Sequence, residues 1–229
     1  MKENVAKPIY SLTPFTLLDY PHKSACILWF AGCNMRCLYC YNPEIVLGKG
    51  RISFDEILVF LQKRTNLLDA VVFSGGECLL HKNIIVLIQE IKKLGFLVKM
   101  DTNGSKPNIL KELIENKWID YVALDFKSMP NHFEKITQSN LFKSFENSLK
   151  SLIKNKFPFE VRTTLHSDLI DLKQMKNMIA YLEHLHYEGN YYIQFYVNNS
   201  NTLAKLGYSN RELERELLST EKIKVHFRG

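Results

Sequence analysis

The chain has 229 residues, 46% of them hydrophobic, and a formal net charge of +6: enough for one substantial core, with lysines too scattered to make the basic stripe of a nucleic-acid binder. No apolar run reaches the length of a membrane span, and the polar start from Met1 to Pro8 lacks the apolar segment of a secretory signal. Five cysteines, three of them in one loop, do not form a secreted disulfide framework, so the expected home is a reducing cytoplasm, with no nucleic-acid and no membrane partner.

The first eleven residues read as loosely ordered. Ser24 to Ala31 is a continuous apolar run, the pattern of a buried strand. Ser53-Phe54-Asp55-Glu56 is a capping box that opens a helix striped by Ile57, Leu58 and Leu61. Ala70 to Phe73 is a short strand. Ile84, Leu87, Ile88 and Ile91 mark the next helix, which Gly95 stops. Phe96 to Met100 reads as a strand, Ile109 to Ile114 as a helix, and Tyr121 to Phe126 as a strand. Phe145, Leu149, Leu152 and Ile153 stripe a helix, followed by a strand from Phe157 to Leu165. Leu172, Met175, Ile179 and Leu182 stripe another, followed by a strand from Tyr191 to Tyr196. The polar stretch Asn198 to Gly207 reads as a loop. Ser209 to Glu212 reads as the cap of a final helix, and Ile223 to Phe227 as an extra strand. Six strand–helix alternations imply a parallel sheet and are too few for an eight-unit barrel. The expectation is α/β: one domain over residues 1–229, an incomplete (β/α)6 barrel. Its core runs from about residue 12 to 197, with a C-terminal extension at 198–229.

Chemistry concentrates after the first strand, where Cys33, Cys37 and Cys40 stand at C-x-x-x-C-x-x-C spacing. Closed iron–sulfur clusters usually have four protein ligands, as do closed structural zinc sites. Three thiolates can hold three irons of a four-iron cluster and leave the fourth iron open. The competing reading is zinc, with His81 or Cys78 as a distant fourth ligand. In parallel α/β folds the active site gathers at the C-terminal ends of the strands. There the sequence places Ser74-Gly75-Gly76-Glu77, then Asp101-Thr102-Asn103-Gly104, then Asp125-Phe126-Lys127, then Arg162, then Gln194. Each is bland alone: a glycine turn, an Asn-Gly turn, an ion pair. Their shared rim argues for a ligand. Glycines let backbone approach it, Glu77 suits an ammonium group, and Lys127 and Arg162 suit a carboxylate or ribose oxygens. Cys26, within an apolar strand, reads as a small buried hydrophobe, and Cys78 as a packing residue.

The cysteine loop, with the aromatic Tyr39 before its last cysteine, resembles the cluster motif of the radical S-adenosylmethionine (SAM) enzymes. Ser74-Gly75-Gly76-Glu77 looks like their methionyl-binding motif. Asp101-Thr102-Asn103-Gly104 and Asp125-Phe126-Lys127 resemble the rim of the glycyl-radical-enzyme activases. Thr16 to Pro21, Gly32 and Asn42-Pro43-Glu44 are similar to the activators of anaerobic ribonucleoside-triphosphate reductase. The match runs from about Leu12 to Gln194. It implies a 4Fe-4S cluster on Cys33, Cys37 and Cys40 with its fourth iron open to SAM. It implies SAM contacts from Tyr39, Ser74, Gly75, Gly76, Glu77, Asp101, Thr102, Asn103, Asp125, Lys127, Arg162 and Gln194, and a monovalent cation on Asp101, Thr102 and Asp125. The implied partners are a glycyl radical enzyme and a flavodoxin- or ferredoxin-like electron donor. Three departures stand out: His22 where the family often has glycine, Tyr41 where it often has histidine, and Cys78 where proline commonly follows the glutamate. The rival readings are a small-molecule radical SAM enzyme of the 7-carboxy-7-deazaguanine synthase type and a metal-binding interaction module without catalysis.

Overall fold

The computed structural model describes residues 6–210, 218 and 220–229. The helix expected beyond Asn210 lies outside the described residues. By internal packing the chain divides into two compact units. The first comprises residues 1–34, 42–102 and 109–122, and the second 35–41, 103–108 and 123–229.

In the first unit β1 (Ile9–Thr16) pairs antiparallel with β2 (Ala25–Phe30), from Ile9 opposite Phe30 to Thr16 opposite Ala25. This corrects the expectation of a loosely ordered start for Ile9 to Ser11, with Ile9 fully buried; residues 1–5 lie outside the described residues. The strand escapes a pattern search because it is an outer strand with irregular register and mixed burial. Such a strand also tolerates Pro14, which has no N–H to give. β3 (Ala70–Gly75) runs parallel to β2, and β4 (Leu97–Thr102) parallel to β3. β2 and β3 read as continuous apolar runs because both faces are covered. On one face Ala25, Ile27, Ala70 and Val72 pack with Tyr20, Trp29, Leu97 and Tyr121.

Helices α1 (Pro43–Leu47), α2 (Phe54–Gln62), α3 (Ile84–Lys93) and α4 (Pro107–Glu115) alternate with these strands. α2 carries the predicted capping box, with Ser53 and Glu56 satisfying each other's backbone N–H, worth about 1 kcal/mol. Lys92 and Asp120 form an ion pair at 2.7 Å. The same carboxylate accepts the Val98 N–H at 2.7 Å, tying α3 and the chain entering β5 (Tyr121–Asp125) to β4.

The second unit contains the end of β5, α5 (Pro130–Thr137), α6 (Phe142–Lys154), β6 (Phe159–Leu165), α7 (Leu172–His184), β7 (Gly189–Phe195) and β8 (Ile223–Arg228). β6 starts just after Pro158. β6–β7 and β7–β8 are parallel, so the extra strand is real and the second unit's sheet runs β6, β7, β8. Phe126 stacks on Phe145 at 4.9 Å, joining α6 to the end of β5. The Thr163 hydroxyl donates to the Phe126 carbonyl and shares a second hydrogen bond with the Tyr191 hydroxyl, both at 2.7 Å. α1 and α5 have no counterpart in the sequence reading.

Candidate active site

The first unit supplies the glycine corner. β2 ends at Phe30, the chain turns through Gly32 in the left-handed region (φ 82°), and Cys33 follows. The Gly76 N–H donates to the Phe30 carbonyl at 2.8 Å and the Glu77 N–H to the Gly32 carbonyl at 2.9 Å. A Cβ on Gly76 would lie 1.8 Å from the Gly32 oxygen, and one on Gly75 2.6 Å from the Phe30 nitrogen. The two glycines thus let the chain leaving β3 touch the backbone that delivers Cys33, a reason the sequence did not disclose.

Glu77 is fully buried and accepts from the Thr102 hydroxyl at 2.8 Å and the Leu79 N–H at 3.2 Å. Ser74 donates to Asp101 at 3.1 Å. Asp101 also takes the ammonium of Lys99 at 2.6 Å, and that lysine, only 2% exposed, was missed in the sequence. Cys78 lies in a short turn (Cys78–Leu80), fully buried, its thiol 3.7 Å from the Asp101 carbonyl. Burial, reinforced by Glu77 and Asp101, pushes that thiol well above its ordinary pKa. His81 is bonded to the Ala31 carbonyl at 2.9 Å. Neither candidate for a fourth zinc ligand is therefore poised as one, and among the described residues no group of three or more His, Cys, Asp or Glu converges on a single metal ion.

The second unit holds the cysteine segment 35–41 from both sides. The Arg36 and Leu38 N–H groups donate to the Thr137 and Ile136 carbonyls at the end of α5, at 2.8 and 3.0 Å. On the other side the Leu203 and Ala204 N–H groups donate to the Cys40 and Leu38 carbonyls. Tyr41, the departure from the family pattern, stacks on Tyr196 at 5.6 Å and accepts the Val197 N–H at 2.8 Å, anchoring the loop that follows β7. That loop, residues 196–208, surrounds a polar cavity.

Tyr39 is 3% exposed, and its hydroxyl is buried with no partner among the described residues. Lys127 lies 5.8 Å from its ring centre and bonds Asp125 at 3.1 Å. Asp125 also takes Arg162 at 3.1 Å. Burial works against the Lys127 charge, but Asp125 outweighs it and holds the ammonium well above its usual pKa. Asn103 caps the turn after β4 by accepting the Ser105 N–H at 2.9 Å, and the Gly104 carbonyl takes the Ser148 hydroxyl at 2.7 Å. Gln194 stands near the end of β7, in register with Thr164 and Arg228.

One expected result follows from this pairing. Asp125→Ala leaves two cations, Lys127 and Arg162, each with about 15% of its side chain exposed, without their shared carboxylate. Breaking a buried pair from one side costs roughly 3 kcal/mol. A denaturant midpoint measured at constant m-value checks it.

The protein-family model "Radical SAM superfamily" matches residues 27–181. The chain belongs to that superfamily, and it is a radical SAM enzyme whose cofactors are a 4Fe-4S cluster and SAM. It is 33% identical over 177 residues to the "Putative glycyl-radical enzyme activating enzyme MJ1227" of Methanocaldococcus jannaschii, covering 74% of this chain and 73% of that one. It is 27% identical over 179 residues to the pyruvate formate-lyase-activating enzyme of Clostridium pasteurianum, covering 75% and 74%. Within the superfamily it therefore groups with the activating proteins of glycyl radical enzymes. Streptococcus suis SuiB, solved bound to SAM, shares the fold with a TM-score of 0.68 at 14% identity, over 89% of this chain and 52% of SuiB. The architecture accords with the α/β class expected from the alternating elements.

The residues present fit these cofactors. Cys33, Cys37 and Cys40 all stand as thiols outside any disulfide. The segment after Cys33 is fixed through backbone hydrogen bonds, and the Tyr39 hydroxyl is a buried polar atom with no partner among the described residues.

Proposed function

We propose that this chain activates a glycyl radical enzyme, with anaerobic ribonucleoside-triphosphate reductase as its partner. The observation that carries the reading is kinship with relatives named for glycyl-radical activation. Thr16 to Pro21, Gly32 and Asn42-Pro43-Glu44 direct it to the reductase. When bound, the cluster and SAM would supply a one-electron reductive cleavage of SAM and, through it, abstraction of a hydrogen atom from a glycine of the partner.

The chain's own residues bind, orient and exclude water. Cys33, Cys37 and Cys40 hold three irons. Ser74, Gly75, Gly76 and Glu77 shape the methionyl end. Asp101, Thr102, Asn103, Asp125 and Lys127 form the rim, and Tyr39, Arg162 and Gln194 serve the nucleoside. The partner's glycine loop approaches in a reducing cytoplasm, and the electron comes from a flavodoxin- or ferredoxin-like donor, whose acidity the net charge of +6 favours. Residues 1–229 act as one radical SAM domain, with 198–229 as an extension.

The test is anaerobic incubation of the reconstituted, reduced protein with SAM and the purified reductase. The expected result is a glycyl-radical doublet in electron paramagnetic resonance, with methionine and 5′-deoxyadenosine formed. SAM cleavage that needs a small molecule and no protein would establish the 7-carboxy-7-deazaguanine synthase type instead. Metal binding without SAM cleavage would establish the interaction module.

A further inference from the structure

Lys99 is a buried cationic side chain of the first unit that the function above does not use. It lies on β4 two residues before Asp101, so both side chains leave the same face of the strand. Leu97, the preceding residue on that face, belongs to the apolar cluster. Along this face the strand passes from an apolar layer to an ammonium and then to a carboxylate. The side chains of Lys99 and Asp101 are 3% and 12% exposed and meet at 2.6 Å. Burying an ammonium costs several kcal/mol unless a carboxylate meets it closely. A lysine at this depth is therefore held against Asp101.

The carboxylates that resemblance assigns to a monovalent cation are thus already served by side chains. In the first unit Asp101 receives Lys99 on one oxygen and the Ser74 hydroxyl on the other, while the Thr102 hydroxyl donates to Glu77. In the second unit Asp125 receives Lys127 on one oxygen and Arg162 on the other. A metal cation on Asp101 would have to displace a buried ammonium at hydrogen-bonding distance.

We propose that Lys99 is a built-in cation that stands in for the exchangeable monovalent ion, so that SAM binding by this protein does not depend on K+ or Na+. The inference rests on the placement of SAM beside Asp101 given above. Lys99 acts through Asp101 and is a positioning residue.

The experiment titrates SAM into the reconstituted, reduced protein and follows the change in the cluster's paramagnetic resonance. The buffer's only cation is K+, Na+ or tetramethylammonium, which is too bulky to coordinate. The unmodified protein is expected to bind SAM within about twofold in all three. Lys99→Ala is expected to bind about tenfold more weakly in tetramethylammonium and to recover in K+ or methylammonium, which can occupy the vacated position. A purely structural role would not give that rescue. Unmodified protein that needs K+ overturns the proposal, and so does a Lys99→Ala protein whose loss no small cation restores. Should Lys99→Ala fail to fold, the cation series on the unmodified protein decides alone. A cluster signal indifferent to SAM in every buffer would fall on the SAM site itself and take this inference with it.

Discussion

Alanine at any one of Cys33, Cys37 or Cys40 is expected to abolish cluster assembly and SAM cleavage, while Cys78→Ala keeps both. The thiolate, not the thiol, binds iron, and burial holds Cys26 and Cys78 as thiols. Cys26 is fully buried in β2, and burial pushes its thiol up to about 12. Cys78 is fully buried beside Glu77 and Asp101, and its thiol is pushed well above the usual range. At neutral pH both are protonated packing residues. Cys33 and Cys40 are only partly buried, and Cys37, though buried, stands between them in the same loop. The cost of Cys78→Ala is one weak bond to the Asp101 carbonyl and one small void, about 1 kcal/mol. The measurement is visible absorbance and iron content after anaerobic reconstitution, followed by 5′-deoxyadenosine yield. Loss of cluster in Cys78→Ala would make Cys78 a fourth ligand and close the iron that SAM needs. Retention in Cys37→Ala would remove the three-thiolate site.

Much of the fold is legible because most parallel strands are buried on both faces. The apolar runs at Ala25–Phe30, Ala70–Phe73 and Tyr121–Leu124 need no periodicity to be found. β1 was illegible for the opposite reason: its residues are half exposed, Pro14 interrupts it, and its pairing is long in space but carries no local signal. α1 and α5, at five and eight residues, are too short for a stripe to stand out. At the site, the three cysteines and the rim residues are legible from type and position. Lys99 was not: a lysine in a strand next to Met100 looks like any surface lysine, and only its spacing from Asp101 hints at a shared face. Tyr41 likewise looked like a departure from a pattern, and the structure shows it holding the loop after β7. The glycines are legible as close-approach positions, and the sequence alone suggests a ligand as what they approach. The structure places the backbone of Phe30 and Gly32 there as well.

That backbone contact leads to the second large effect. Gly76→Ala is expected to cost about 3 kcal/mol and to abolish the SAM-induced change in the cluster signal. Its Cβ would lie 1.8 Å from the Gly32 oxygen and 2.6 Å from the Gly32 carbonyl carbon. Both are backbone atoms, so no side-chain rotation relieves the overlap. The chain leaving β3 must move away from the chain leaving β2. That movement weakens the Gly76–Phe30 and Glu77–Gly32 hydrogen bonds, each worth about 1 kcal/mol net, and adds overpacking strain of similar size. Cys33 follows Gly32 directly, and Glu77 follows Gly76, so the same displacement separates a cluster ligand from the methionyl motif. Gly95→Ala is the control. Gly95, unlike Gly76, has a left-handed φ, 88°, but nothing lies within 4 Å of its added Cβ. It should cost only the conformational strain, about 1 kcal/mol, and leave SAM binding unchanged. Paired denaturation curves and SAM titrations of the two variants separate strain from collision. If Gly76→Ala behaves like Gly95→Ala in both, the two strand ends do not meet as closely as the glycines imply, and the coupling of Cys33 to the glycine corner fails with it.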